Sequence, residues 1–255
     1  MMEKLLIESG SYHLASWFFA PDSAPQSPLP GLVYCSGFPG SEYGLKIGKA
    51  LSNGGYAVLK FDYRGIRESE GELDFASQGD DLKAGLTYLE TRQDVNRNLI
   101  GVVGHSAGAA VAIVTAARDP RIKAVAVWGA LGNYKRFLRF LRSLHGSIAM
   151  KLDIWLSRSQ YRGKHVFDQM MSLGQFDPMD HVMEISPRPL LIIHQRHEIW
   201  APVQHAYDLY QEAREPKKLV IVEGWRHSGS KSFYSAERKD GAIRMTLDWL
   251  SSVLK

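Results

Sequence analysis

Cysteine is almost absent from this chain of 255 residues, because Cys35 is the only one. An intramolecular disulfide is therefore excluded, which favours a reducing compartment. Long apolar runs are also absent, and no stretch approaches the roughly 20 residues that a membrane-spanning helix needs. No basic region followed by an apolar stretch opens the chain, as it would in a secretory signal peptide. We therefore expect a cytoplasmic protein without a membrane span.

A large excess of charge of one sign is also absent. The net charge is only +4, and the sequence contains no compact block of Lys and Arg. This pattern argues against a nucleic-acid partner. Repeats and low-complexity segments are missing as well, apart from a proline-rich loop over residues 21–30. The length and composition are typical of one large globular domain or of a domain with an insertion.

What the chain does contain is an alternation of short buried strands and helices. Strands are predicted at residues 5–8, 13–19, 32–35, 56–61, 99–103, 124–128, 189–194 and 219–222, and helices at 42–51, 75–91, 109–117, 203–211 and 237–254. Such alternation predicts an α/β fold, with a mostly parallel central sheet covered by helices on both faces.

The alternation stops once, between Trp128 and Pro189, where about sixty residues lack a convincing strand. Helical patterns occupy residues 134–144, 148–156 and 166–173 of this stretch. We therefore predict a small helical cap insertion at 131–186. Residues 1–130 and 187–255 would form the core domain.

A candidate nucleophile lies in Gly104-His105-Ser106-Ala107-Gly108, which fits the pattern G-x-S-x-G. A buried strand precedes the pattern and an Ala-rich helix follows it, so Ser106 would lie on a sharp strand-to-helix turn with its hydroxyl exposed. The alternative is a serine that only caps the helix. The context on both sides favours the nucleophile.

A serine hydroxyl needs a general base, and the base needs an acid to orient it. His227 follows the predicted strand 219–222 in a polar loop containing glycine, at the sheet edge where ligands gather. Glu198 is the first carboxylate after the strand 189–194. The alternatives are a solvent-exposed loop histidine and a surface glutamate. The predicted triad is Ser106, His227 and Glu198.

Acyl transfer also needs donors for an oxyanion. The N–H of Ala107, at the start of the helix after Ser106, is one candidate. The N–H of Phe38, in the loop Ser36-Gly37-Phe38-Pro39-Gly40, is the other, and a simple Gly/Pro turn is the alternative there. The histidines around Glu198 match no zinc-ligand spacing. We expect neither a metal nor an organic cofactor.

These motifs resemble the α/β-hydrolase superfamily over nearly the whole chain. The run Phe61-Asp62-Tyr63-Arg64-Gly65 looks like the family's F-D-x-R-G loop, and the strand 189–194 is similar to the one that leads to its acid. The Gly-Phe-Pro-Gly loop and the short helical insert look most like the cinnamoyl/feruloyl-esterase and dienelactone-hydrolase groups. Three positions depart from the pattern: Ser36 replaces a histidine, Gln195 a glycine and Glu198 an aspartate.

The resemblance implies an α/β-hydrolase fold and a serine carboxylic-ester hydrolase that acts on a small-molecule ester. The same triad would also serve an amidase or aminopeptidase-like hydrolase, or an acyltransferase. A non-catalytic protein that binds a small ligand is the alternative from another class.

Aromatic residues in the predicted cap, and Trp128 just before it, could line an acyl pocket, although most of them are equally suited to the core of the cap itself. The candidates for substrate binding are Trp128, Tyr134, Phe137 and Trp155. The basic residues of the helix 134–144 could attract an anionic substrate or a membrane surface, or could simply be solvated. An exposed cap stripe could also pair two copies into a homodimer.

Overall fold

The computed structural model describes residues 1–22, 28–40, 43–223, 234–239 and 241–254. Eight strands form one sheet in the order β1-β2-β4-β3-β5-β6-β7-β8. Their bounds are β1 Met2–Ser9, β2 Tyr12–Phe19, β3 Leu29–Cys35, β4 Ala57–Phe61, β5 Val95–His105, β6 Ile122–Trp128, β7 Leu190–Gln195 and β8 Lys217–Val222.

The sheet is parallel except at one edge. Strands β4, β3, β5, β6, β7 and β8 pair in parallel, whereas β1 and β2 form an antiparallel hairpin that joins β4 through β2. All five residues of β4 are buried, as expected for a parallel strand covered on both faces. Most of β1 is exposed, because it is an edge strand. The predicted α/β class with a mostly parallel sheet is confirmed.

Helices cover both faces of the sheet and create two apolar clusters. On one face, α1 (Gly44–Asn53) and α8 (Ala242–Val253) contribute Leu51 and Leu250, which pack with Val103 of β5. On the other face, α2 (Gln78–Thr91), α3 (Ala107–Arg118) and α7 (Gln204–Glu212) pack with the alternate side chains of the same strands. Because successive strand residues point to opposite faces, one strand serves both clusters.

Between β6 and β7 the chain forms α4 (Tyr134–Arg142), α5 (Leu144–Leu156), α6 (Val166–Met171) and short 3₁₀ turns up to Ile185. We call residues 134–185 the helical segment. Its helices lie where the sequence predicts them. Several of their side chains, including Phe137 and Met150, belong to the same apolar cluster as α2 and α3. The predicted division into core and cap domains stays a prediction.

Polar caps fix where α4 begins. The side chain of Asn133 accepts a hydrogen bond from the Arg136 N–H at 2.9 Å. Asp177, which is fully buried, accepts from the N–H groups of Tyr134 and Lys135 at 3.1 and 3.2 Å. Because the first N–H groups of a helix have no acceptor inside it, these side chains stabilise the start of the helical segment.

No helix among the described residues combines the length and apolar character needed to cross a membrane.

Candidate active site

Ser106 is the single residue between β5 and α3. Its backbone has φ +53° and ψ −118°, a conformation that L-residues rarely adopt. Hydrogen bonds hold it there: the Ser106 N–H donates to the Trp128 carbonyl at 3.0 Å, and the Ser106 carbonyl accepts from the Ala109 and Leu131 N–H groups at 3.1 and 3.2 Å. Strained residues of this kind concentrate at functional sites.

Two glycines allow the chain to close around this corner. A Cβ on Gly108 would lie 2.4 Å from the carbonyl oxygens of Cys35 and Ser36, so only glycine fits where α3 meets the end of β3. A Cβ on Gly37 would lie 2.9 Å from the Cβ of Ser106. The loop that follows β3 is therefore in direct contact with Ser106.

The two residues with the predicted oxyanion donors, Phe38 and Ala107, both lie near Ser106. Ala107 is the first residue of α3, where an N–H has no acceptor within the helix and the helix dipole is positive. Phe38 lies one residue after Gly37, in a turn closed by the Gly40 N–H donating to the Gly37 carbonyl at 2.7 Å. Neither the Phe38 nor the Ala107 N–H donates to another described residue. Both residues line the cavity at Ser106.

Glu198 lies in the loop after β7 and is only 6% exposed. Its Oε1 accepts hydrogen bonds from the N–H groups of Ile199 and Trp200, at 2.8 and 2.9 Å. Bonds from backbone N–H groups to a carboxylate fix its position. His227, the predicted base, lies outside the described residues.

A cavity of about 250 Å³ opens at Ser106. Its walls include the loop after β3 with Phe38, the helical segment with Phe137 and Met150, and the loop after Glu198 with Trp200. Phe38 packs against Phe75 and Tyr161, with 5.5 Å between ring centres in each pair. Most of the described lining residues are apolar, and Asp153 is the one ionisable side chain among them.

The four predicted substrate-binding aromatics have different environments. Phe137 lines the cavity at Ser106, and Tyr134 lines a smaller adjoining cavity of about 110 Å³ that also contacts Ala107. The structure does not bring Trp128 or Trp155 to the cavity. Trp128 is fully buried in the cluster with α8, and Trp155 is 70% exposed on the outside of α5.

Sequence reasoning missed several lining residues. Met150 and Met170 belong to helices with no distinctive motif, and only tertiary packing brings them to Ser106. Trp200 had a usable signal, because it follows the predicted acid Glu198 by two residues. Among the described residues, no group of three or more His, Cys, Asp and Glu side chains could hold a metal ion.

Aromatic side chains pack around His105, the residue that precedes Ser106. His105 is buried, and its Nε2 is 3.0 Å from the Tyr234 hydroxyl. Burial raises the pKa of Tyr234 above its ordinary value, so the phenol stays neutral. The Trp128 indole N–H donates to Thr246 Oγ1 of α8 at 2.9 Å, and the Trp128 and Tyr234 rings are in contact. These interactions join β5, which ends one residue before Ser106, to α8.

Comparison with known proteins gives a matching family and a related bacterial protein. The family model described as "Serine aminopeptidase, S33" matches residues 39–172, just over half of the chain. The uncharacterized protein YfhR of Escherichia coli K12 is 25% identical over 245 residues, which cover 94% of this chain and 77% of YfhR.

Two solved structures illustrate the similarity of fold. The esterase domain of a Rhodothermus marinus protein superposes with a TM-score of 0.73 and 22% identity, and all of each chain is covered. Est1E of Butyrivibrio proteoclasticus, solved with ferulic acid bound, superposes with a TM-score of 0.74 and 16% identity, covering 97% of this chain and 96% of Est1E. The predicted α/β-hydrolase fold is confirmed.

Proposed function

Because the chain belongs to the serine aminopeptidase S33 family of hydrolases, we propose that it is a serine carboxylic-ester hydrolase with an acyl-enzyme on Ser106. One observation carries the proposal: a serine strained at a strand-to-helix corner borders a cavity that Phe38 and Ala107 also line. A serine with a structural capping role alone would need neither the strain nor the cavity.

In the proposed reaction, His227 takes the hydroxyl proton of Ser106 as Oγ attacks the ester carbonyl. The N–H groups of Phe38 and Ala107 stabilise the oxyanion of the tetrahedral intermediate. The intermediate collapses, the bond to the alcohol breaks, and protonated His227 gives its proton to the departing oxygen. Water, deprotonated by the same His227, then attacks the acyl-enzyme and releases the carboxylic acid and Ser106.

Glu198 is the proposed orienter of His227. Two backbone N–H groups hold its Oε1, which fixes the carboxylate in the loop after β7. A buried carboxylate fixed in this way can stabilise the imidazolium that forms during the reaction without taking a proton itself.

The cavity at Ser106 is suited to binding an apolar acyl group of small to medium size. Phe38, Phe137 and Trp200 give it aromatic walls, which suit an aromatic or a hydrophobic acyl chain. The similarity in fold to Est1E, solved with ferulic acid bound, is in keeping with an aromatic acyl group.

A second function, hydrolysis of an aminoacyl amide, has specific support of its own. The matching family is described as a serine aminopeptidase, and the Asp153 carboxylate lines the cavity, where it would suit a cationic amine. The acyl-enzyme chemistry is the same for both functions, so the substrate decides between them.

A kinetic comparison tests the proposal. We expect p-nitrophenyl esters with apolar acyl groups to be cleaved with a kcat/KM at least about a hundredfold above that of the matching anilides. Ser106→Ala should lower kcat by a factor of about 10⁴ or more, and Glu198→Gln by about 10² to 10⁴. Faster cleavage of aminoacyl anilides than of esters would favour the second function. Full ester hydrolysis by Ser106→Ala would overturn both.

A further inference from the structure

The outer face of α5 is apolar and exposed. Leu144, Ile148, Leu152, Trp155 and Leu156 are between 53% and 73% exposed. Their spacing of four, four, three and one residues places them on one side of the helix. Large apolar side chains scattered singly on a surface are ordinary, but five on one helix face mark an interaction site.

The inner face of the same helix borders the candidate active site. Met150 and Asp153 of α5 line the cavity at Ser106. Met150 is 6% exposed, and of the 13 residues of α5 only Gly146 and Met150 are buried. One helix therefore separates the exposed apolar face from the cavity.

Cations border this face along its whole length. Arg142 lies two residues before Leu144, Lys151 adjoins Leu152, and Arg158 lies two residues after Leu156, and all three are exposed. Lys151 Nζ is 4.9 Å from the centre of the Phe167 ring, so its charge stays at the side of the face. The only acidic residue of α5, Asp153, belongs to the cavity side.

This combination fits a lipid surface better than a second copy of the chain. Helices that lie in a membrane interface present Trp and Leu on one side and Lys or Arg beside them. A twofold dimer centred on α5 would instead bring Lys151 close to the Lys151 of the other copy, since this residue lies near the middle of the helix. Like charges at that point would oppose pairing, whereas anionic headgroups would attract them.

We propose that the outer face of α5 docks onto an anionic lipid surface. The apolar side chains enter the layer at the level of the headgroups, and Arg142, Lys151 and Arg158 contact the lipid phosphates. If the chain is the ester hydrolase proposed above, the docked helix places the cavity beside esters dissolved in that layer. A lipid-borne acyl ester is then its substrate class.

Binding to vesicles tests the docking without using the chemistry. Full-length Ser106→Ala protein is sedimented with vesicles of phosphatidylglycerol and phosphatidylcholine, and with vesicles of phosphatidylcholine alone. We expect at least about tenfold tighter binding to the anionic vesicles than to the neutral ones. Adding Lys151→Gln to Ser106→Ala should weaken binding to the anionic vesicles by about fivefold at low salt.

Matched variants locate the docking face. Leu152→Ser with Trp155→Ser should weaken binding to the anionic vesicles by about tenfold or more, because the apolar contacts with the layer are lost. Met2→Ser with Leu6→Ser serves as the control, since these residues are 56% and 62% exposed on the edge strand β1. The control pair should bind as Ser106→Ala alone does. Unchanged circular dichroism and melting temperature in both pairs would exclude misfolding as the cause.

Three results would overturn the proposal: no sedimentation with anionic vesicles, an equal loss in the control pair, or a dimer in sedimentation velocity that the α5 pair converts to a monomer. The last result would assign the face to a second copy. Failure of the proposed function is distinguishable from failure of the docking. It would appear as a protein that retains Ser106 and binds vesicles but does not hydrolyse a water-soluble ester.

Discussion

The corner at Ser106 and the helix α5 differ most in how tightly their surroundings confine them. At the corner, backbone atoms of β3 lie so close to α3 that Gly108 has no room for a Cβ. In α5, most side chains are at least partly exposed. Groups that must hold a geometry are usually placed on rigid elements, and groups that select partners lie on segments that retain a free surface. The difference between these two regions matches the roles proposed for them, chemistry at the corner and recognition at α5.

The largest expected effect comes from adding one methyl group at the corner. Gly108→Ala should lower the free energy of unfolding by about 3 kcal/mol or more, because the new Cβ would overlap two carbonyl oxygens that cannot move independently. Gly174→Ala in the helical segment is the matched control. Its Cβ would meet only Leu138 Cδ1 at 3.4 Å, an ordinary contact, and should change the stability by less than about 0.5 kcal/mol. Urea unfolding of the two variants measures the contrast, and equal losses would contradict it.

A smaller effect separates the two sides of the helical segment. Phe137, 4% exposed, lies in the apolar cluster and lines the cavity, so Phe137→Ala should lower the free energy of unfolding by about 3 kcal/mol. Trp155→Ala, at a residue that is 70% exposed, should change it by less than about 0.5 kcal/mol. Thermal unfolding of both variants provides the measurement. A large loss for Trp155→Ala would mean that its face is already covered in the free protein.

The smallest effect concerns the link between α7 and the start of the helical segment. His205 Nδ1 accepts a hydrogen bond from the Asn133 N–H at 3.0 Å. Burial, aided by the neighbouring His194 and Arg136, lowers the pKa of His205 from 6.5 to about 3. Between those two values the unfolded chain binds more protons than the folded one, so stability falls as the pH falls from 6.5 towards 3.

For this one residue, the free energy of unfolding changes by at most about 1.4 kcal/mol per pH unit. His205→Gln should remove its share of the slope, while the amide oxygen keeps an acceptor for Asn133. The exposed His145 of α5 gives the control variant His145→Gln. The free energy of unfolding of the three proteins between pH 6 and pH 4 measures the effect. A slope that His205→Gln leaves unchanged would contradict a neutral, buried His205.

The sheet was predictable because its strands are apolar runs punctuated by Gly, Pro and polar residues. Strand ends were less predictable. The strand expected at residues 99–103 extends over Val95–His105, because Val95 and Asn96 pair with Leu29 and Pro30 of β3. These pairs are made by backbone atoms, and no hydrophobic pattern reports them.

In the candidate site, local patterns were informative and distant contacts were not. The motif around Ser106 and the loop with Phe38 both contain glycines that predict tight turns. The sequence could therefore predict that both belong to the same site. Trp155 is the opposite case. An apolar helix face has the same sequence pattern whether it packs inside the protein or stays exposed. The pattern alone therefore could not place Trp155 on the outer surface of α5.

Active-site labelling tests the central claim, that Ser106 is an activated nucleophile, most directly. The folded protein is treated with a fluorophosphonate, and intact mass and peptide mapping locate the adduct. We predict one adduct per chain, on Ser106, and none on folded Ser106→Ala. A native protein that takes up no label, or an adduct that persists in Ser106→Ala, would contradict the account.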